Sequence, residues 1–177
     1  MWNRKRRLNP EQHPDQYLDK ARQPADAHDQ GEVGASAVAL LARRDYSSGE
    51  LTARLREQGY AASAVHSVVS DLLEQRFIDD ARYAANRATY QAGRGQGPLR
   101  IRRDLANLEI DPELIQAALD THDWSRQARE VRARRFGPEV PAEWREKARQ
   151  ARFLQYRGFS ADHIRSALGA SDFETDS

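Results

Sequence analysis

The sequence predicts an all-α fold: three tandem three-helix repeats forming an elongated, curved body behind a disordered N-terminal tail. Three observations lead there. Apolar residues recur at helical spacing, and no apolar–polar alternation persists over five or more positions. One helix–turn–helix pattern superposes on two later stretches of the chain. Residues 1–35 carry no such periodicity.

In chain order, residues 1–35 hold three of the seven prolines and balance six Lys/Arg against six Asp/Glu. A segment so poor in periodic apolar residues buries too little surface to offset its ordering entropy, which predicts a mobile tail. Ala37, Leu40 and Leu41 then mark a helix over about 36–45. Leu51 and Leu55 mark a second, entered through Ser47 or Ser48 as N-cap. After Gly59-Tyr60, Val65, Val68, Val69, Leu72 and Leu73 form a strong apolar stripe. The spacing outweighs the modest helix propensity of valine. Further helices are expected over about 79–92 and 123–136, the latter facing inward through Trp124, Ala128 and Val131.

The repeat organises the rest. A shift of 50 places Leu51 on Ile101, Leu55 on Leu105, Tyr60 on Ile110, Val65 on Ile115 and Val69 on Leu119. A further shift of 49 places Leu105 on Leu154, Ile110 on Phe159, Ile115 on Ile164 and Leu119 on Leu168. The turns correspond too: Gly59-Tyr60-Ala61, Glu109-Ile110-Asp111 and Gly158-Phe159-Ser160. Gly59 and Gly158 suit a left-handed position after a helix, and Asp111 and Ser160 suit the following N-cap. Glu109 must either accept a positive φ or adjust its turn. The units divide at 36–78, 79–122 and 123–170, each too small to stand alone and therefore expected to stack on its neighbour.

Composition narrows the function. The chain has 177 residues, no cysteine and 31% charged residues. Disulfides, thiolate metal sites and thiol nucleophiles are thereby excluded, and a reducing cytoplasm is the expected setting. No apolar run approaches the roughly 18 residues of a membrane span. The basic start, Arg4 to Arg7, is followed by no signal-like apolar segment. The formal net charge of +1 hides strong segregation. Residues 76–103 hold seven basic and two acidic residues, residues 104–123 hold six acidic and none basic, and residues 124–157 hold ten basic and four acidic.

Within the basic blocks, Arg94, Arg100, Arg102 and Arg103 surround the loop from Gly93 to Pro98. Arg145, Arg149 and Arg152 recur at i, i+4 and i+7, opposite Leu154, as an outward basic face. Ordinary surface pairing with Glu130, Glu143 and Glu146 is the bland reading of any one arginine. Two sorted blocks favour phosphate or an acidic protein groove. Catalytic chemistry is missing: no HExxH, calcium loop or Walker lysine is present, and neither metal nor cofactor is expected. The five histidines form no i, i+4 pair. Asp79-Asp80 reads as a helix N-terminus rather than an acid–base pair.

Several stretches resemble one family. Tyr46-Ser47-Ser48-Gly49-Glu50-Leu51 with Leu55 and Gly59-Tyr60 is similar to the opening of the RecX recombination regulators. Phe77-Ile78-Asp79-Asp80-Ala81-Arg82-Tyr83-Ala84 resembles that family's (F/L)-(I/L)-(D/N)-D-x-(R/K)-(F/Y)-A segment. Gly95-Gln96-Gly97-Pro98 with Ile101 and Leu105, and Phe153-Leu154-Gln155-Tyr156-Arg157-Gly158-Phe159-Ser160, match its later motifs. The resemblance covers about 36–169, and Glu109 departs from the usual glycine.

The resemblance implies a non-enzymatic, cytoplasmic protein that lies in the groove of the RecA–DNA filament and restrains recombinase, ATPase and coprotease activity. Its partners would be RecA and the single-stranded or duplex DNA within the filament, with no membrane, and the protein itself a monomer. Arg94, Arg100, Arg102, Arg103, Arg132, Arg145, Arg149 and Arg152 are the residues expected to face that filament. Phe77, Ile78, Tyr83 and Phe159 are expected in the core. A helix-turn-helix DNA reader is the main rival, opposed by the scarcity of basic residues over 61–74 and 111–120. A protein-only helical scaffold and a hydrolase are weaker rivals.

Overall fold

The structure, a computed structural model, describes residues 25–169. Among these residues there are nine helices and no strand. The first unit comprises α1 (Gln30–Leu41), α2 (Ser48–Glu57) and α3 (Ala62–Glu74). The second comprises α4 (Asp80–Gly93), α5 (Pro98–Ala106) and α6 (Pro112–Asp120). The third comprises α7 (Trp124–Phe136), α8 (Trp144–Arg157) and α9 (Ala161–Ala167). In every unit the leading helix packs on the third.

The superposition of segments survives in three dimensions. Over 101–110 the order of buried, half-buried and exposed residues repeats that of 51–60 at every position. The stretch 150–159 differs only at Gly158. Leu51, Leu55, Ile101, Leu105 and Leu154 are fully buried, and Tyr60, Ile110 and Phe159 fill the equivalent turns. All three turns take a positive φ: 98° at Gly59, 58° at Glu109 and 90° at Gly158. Glu109 thus adopts the left-handed conformation at a cost on the order of 1 kcal/mol that its glycine counterparts avoid. The caps also form as the side chains dictate. Ser47 accepts from the Glu50 N–H at 3.1 Å, Asp111 from Glu113 at 2.7 Å and Ser160 from His163 at 3.3 Å.

Two expectations need correction. The leading helix of the first unit starts at Gln30, inside the stretch 1–35 read as tail, and ends at Leu41. Asp29 caps it by accepting from Gly31 N, and Val33 is fully buried. Two glycines and a single valine gave that turn too little apolar period to notice. The expectation of a mobile tail over 1–24 lies outside the described residues. Second, Phe77 is 63% exposed while Ile78 takes the core place at 2%. Arg76 turns the chain with φ 57°, and the amides of Phe77 and Ile78 both donate to the Leu72 carbonyl, so the adjacent side chains diverge. The repeat also has a polar member: the slot held by Leu51 and Ile101 is filled in the last unit by Gln150, at 3% exposure. Its amide donates to Glu146 at 3.0 Å and accepts from Arg132 at 3.4 Å.

The apolar residues form two cores. One belongs to the first unit, from Val33 to Ile78. The other runs through the second and third units together, from Ala84 to Ala167, and includes Ile101, Leu105, Trp124, Leu154 and Phe159.

Candidate functional site

The two basic blocks, separated in sequence by an acidic one, meet where the second unit joins the third. Helix α4 ends at Gly93, Gly95 turns with φ 77°, and Gly97 with Pro98 starts α5. The N-terminus of α5 docks on the last turn of α8: Gly97 N–H donates to the Arg157 carbonyl at 2.8 Å and Leu99 N–H to that of Gly158 at 3.0 Å. A Cβ on Gly97 would lie 2.5 Å from the Gly158 and Phe159 backbone, so only glycine permits this approach. The Arg157 guanidinium then reaches back to donate to the Arg94 carbonyl at 3.1 Å and stacks on Phe153 at 5.2 Å.

Around this joint the arginines separate by environment. Arg94 is exposed and donates to the Tyr90 hydroxyl at 2.8 Å. Arg100 and Arg102 are half-buried, Arg102 donating to Gln116, and Arg103 is exposed 3.6 Å from the Asp104 carboxylate. On α8, Arg145, Arg149 and Arg152 are all exposed along one side. Arg149 pairs with Glu146 at 3.0 Å and lies 5.2 Å over the Phe136 ring. Exposed ion pairs of this kind hold a side chain by less than about 1 kcal/mol and yield to a stronger anion.

Arg132 does not belong to this surface. It is 3% exposed, and its guanidinium donates to the Pro138 carbonyl at 2.7 Å and the Glu139 carbonyl at 2.8 Å. Position 132 falls on the inner side of α7, one residue after the core Val131, so it clamps the loop leading to α8 and cannot meet a partner. Arg134, Arg135 and Arg157, by contrast, cluster with Arg94 at the joint; the first two fall in no motif, and Arg157 belongs to a motif but was not expected to face the filament. The adjacent pair Arg134-Arg135, at the end of a helix whose inner residues are Ala128 and Val131, was the available signal.

The other joint is also built from residues the sequence made conspicuous. Asp79 caps α4 by accepting from Arg82 N at 2.9 Å. Asp80 instead reaches the first unit and accepts from Ser48 N at 2.8 Å and from the Ser48 hydroxyl. Arg44 grips Glu50 with two hydrogen bonds of 2.9 and 2.7 Å, and Tyr83 donates to the same carboxylate at 3.3 Å. That hydrogen bond to Glu50 raises the Arg44 pKa, whereas burial, followed by the Glu50 charge, raises that of Tyr83. These residues hold units together and form no acid–base pair.

Among the described residues no three His, Cys, Asp or Glu gather as a metal site, and no helix is long and apolar enough to cross a membrane. The candidate recognition helices α3 and α6 contain no Lys or Arg at all, and α9 only Arg165. The basic surface lies on leading and middle helices, which is not the way a helix-turn-helix reads a major groove.

Comparison with known proteins agrees with this architecture unit by unit. Residues 35–72, 79–119 and 125–168 match the family models for the first, second and third three-helix domains of RecX. A regulatory protein RecX from Halorhodospira halophila is 42% identical over 142 residues, covering 79% of this chain and 88% of the relative. Another, from Acidithiobacillus ferrooxidans, is 41% identical over 149 residues, covering 80% and 94%. The crystal structure of RecX from Lactobacillus salivarius superposes with a TM-score of 0.70 at 19% identity, over 82% of this chain and 97% of that one. A second solved regulatory protein RecX gives 0.69 at 21% identity, over 93% and 79%. With all three domains matched in order and relatives this similar over most of their length, the chain belongs to the RecX family of regulatory proteins.

Proposed function

We propose that this protein regulates the RecA recombinase by binding the RecA–DNA filament, chiefly as an inhibitor of its recombinase, ATPase and coprotease activities. It acts as a cytoplasmic monomer in DNA recombination, repair and the SOS response. Family membership supports the class of partner, and the exposed α8 stripe Arg145, Arg149 and Arg152 is the observation that carries the contact. Seven of the eight arginines singled out in the sequence remain in the proposed contact set; buried Arg132 leaves it. No reaction is assigned to the protein, whose effect is steric: a helical body lodged in the filament groove obstructs strand exchange and the movements of RecA.

The test is the DNA-dependent ATPase of the cognate RecA, titrated with this protein at two salt concentrations. Substoichiometric inhibition that weakens with salt is expected. Reversing Arg145, Arg149 and Arg152 to Glu should weaken inhibition roughly ten-fold or more, since each site exchanges attraction for repulsion. Helicity should be unchanged. Full inhibition by that variant removes the stripe from the contact, and sequence-selective duplex binding without any effect on RecA would favour a DNA reader instead.

A further inference from the structure

The joint between the second and third units encloses a feature that shares only Arg94 with the proposed contact set. It is an open cleft of about 230 Å³. Its rim carries Arg94 from the loop after α4, Arg134 and Arg135 from the end of α7, and Arg157 from the end of α8. Val131 and Phe153 supply its apolar floor, and no carboxylate lines it. The nearest acid to Arg134 is Glu130 at 3.7 Å, and that carboxylate is already hydrogen-bonded to Arg126 at 2.9 Å. Folding thus brings four guanidinium groups around one concavity with little counter-charge. Such an arrangement costs self-repulsion that an anion would relieve.

Two of the four groups are also held in place before any ligand arrives. Arg157 is fixed between the Arg94 carbonyl and the Phe153 ring, and Arg94 is tethered to the Tyr90 hydroxyl. Gly95, at φ 77°, brings the loop so close that a Cβ there would stand 3.2 Å from Val131. A guanidinium oriented by an aromatic face loses less freedom when it binds an anion than a free one.

We propose that this cleft is a phosphodiester-binding subsite, which seats backbone phosphates of a nucleic-acid strand while Val131 and Phe153 receive the sugar or base edge. Four cations in one cleft call for several closely spaced negative charges. A nucleic-acid strand supplies one per roughly 3.4 Å of axis, together with planar groups suited to an aromatic floor. A protein carboxylate brings single charges on separately mobile side chains. Planar guanidinium groups match phosphate oxygens two at a time. The choice of nucleic acid as the polyanion rests on the filament reading, to which the cleft adds Arg134, Arg135 and Arg157. Because its walls come from two units, a seated strand also braces the joint.

The full chain, without RecA, is titrated into a fluorescein-labelled oligothymidylate at several salt concentrations and followed by anisotropy. Arg134→Gln with Arg135→Gln should lower affinity about ten-fold and reduce the slope of log affinity against log salt by about 1.4, two phosphate contacts at roughly 0.7 each. Both side chains are exposed, so the fold is retained, as a circular dichroism melt would verify. Arg54→Gln with Arg165→Gln, two arginines paired with Glu57 and Asp162 and outside the cleft, should change affinity less than about two-fold. Equal losses in the two double variants, or an unchanged slope in the first, overturn the proposal. So does displacement of the strand by polyglutamate at equal charge concentration, which would make the cleft a carboxylate site. With RecA absent, a negative result leaves the filament reading standing. A failure of the Arg145, Arg149 and Arg152 reversal to relieve RecA inhibition would leave the cleft standing.

Discussion

The joint between the first and second units and the joint between the second and third share one register and differ in chemistry. Under the repeat shifts, Ser47 corresponds to Gly97 and Leu108 to Arg157. At the first joint the Ser47 hydroxyl donates to the Leu108 carbonyl at 3.4 Å, and at the second the Gly97 amide donates to the Arg157 carbonyl at 2.8 Å. In both, the N-terminus of a middle helix sits on the next unit's turn. The second joint, however, is continuous with a shared apolar core, whereas the first is lined by Ser48, Asp80, Glu50, Arg44 and Tyr83 and separates two cores. A polar joint between separate cores opens at lower free energy than one buried in a common core. The second and third units therefore form one cooperative block, to which the first is latched.

The hardest test of that contrast is a cavity on each side. Leu105→Ala, in the fully buried middle of the second unit, should cost about 2–5 kcal/mol. In a background with Trp2→Phe and Trp144→Phe, the fluorescence of buried Trp124, whose indole N–H donates to the Leu119 carbonyl, reports the second and third units together, and its melting midpoint should fall. Leu55→Ala should cost a similar amount by circular dichroism and leave the Trp124 transition in place. If both variants shift Trp124 equally, the chain melts as a single unit and the two joints do not differ.

Next in size are the close approaches themselves. Gly97→Ala would drive a methyl to 2.5 Å from the Gly158 and Phe159 backbone and should cost about 1–3 kcal/mol in the Trp124 transition. Gly49→Ala meets the Leu108 carbonyl at a similarly short distance, with Glu109 Cβ at 2.9 Å. It should loosen the first unit instead, with no change at Trp124. A drop in the Trp124 midpoint for Gly49→Ala would show that strain passes through the second unit intact.

These glycines explain what could be read in the sequence and what could not. Leu51, Leu55, Ile101, Leu105 and Leu154 repeat because three similar units bury the same positions, so periodicity and self-comparison were enough to find the helices. The family motifs were equally visible, yet several of their residues turn out to serve the joints: Ser47, Ser48, Gly49 and Glu50 meet Asp80, Tyr83 and Leu108, and Gly97 meets Arg157 and Gly158. A motif records that a residue is constrained without saying by what. Burial of Arg132 was hidden because a charged residue at an inner helix position looks like surface until the loop carbonyls that satisfy it are known. The arginine cleft was hidden for the converse reason, since Arg94 and Arg134 are brought together only by docking of two units.

Smaller effects sharpen the polar side of the contrast. Asp80→Ala removes the acceptor of two Ser48 hydrogen bonds at a half-buried site and should cost about 1–2 kcal/mol. The readout is amide exchange at Ser48, which should accelerate while protection at Leu105 stays constant. Equal acceleration at both positions would mean that the first joint opens only with the whole fold.

The smallest effect concerns His163, whose ring nitrogen Nδ1 accepts from Ser160 N–H at 3.3 Å, while its own amide donates to the Ser160 hydroxyl. Burial lowers its pKa below the usual 6.5, against the opposing charges of Asp162 and Asp123. Protonation would also convert Nδ1 from acceptor to donor and break the capping box. The folded state therefore binds this proton more weakly than the unfolded chain. Its contribution to stability is complete above pH 6.5 and is lost as pH falls from there through the lowered folded-state value. The Trp124 melting midpoint should decline over that window in the parent, and less in His163→Gln, whose amide oxygen preserves an acceptor without titrating. Since α9 packs on α7 within the shared core, this loss belongs to the second and third units together, and amide protection in α1 should be indifferent to it. An acid-induced decline of the same size in parent and variant would assign the pH response to other groups and leave the cap a purely geometric device.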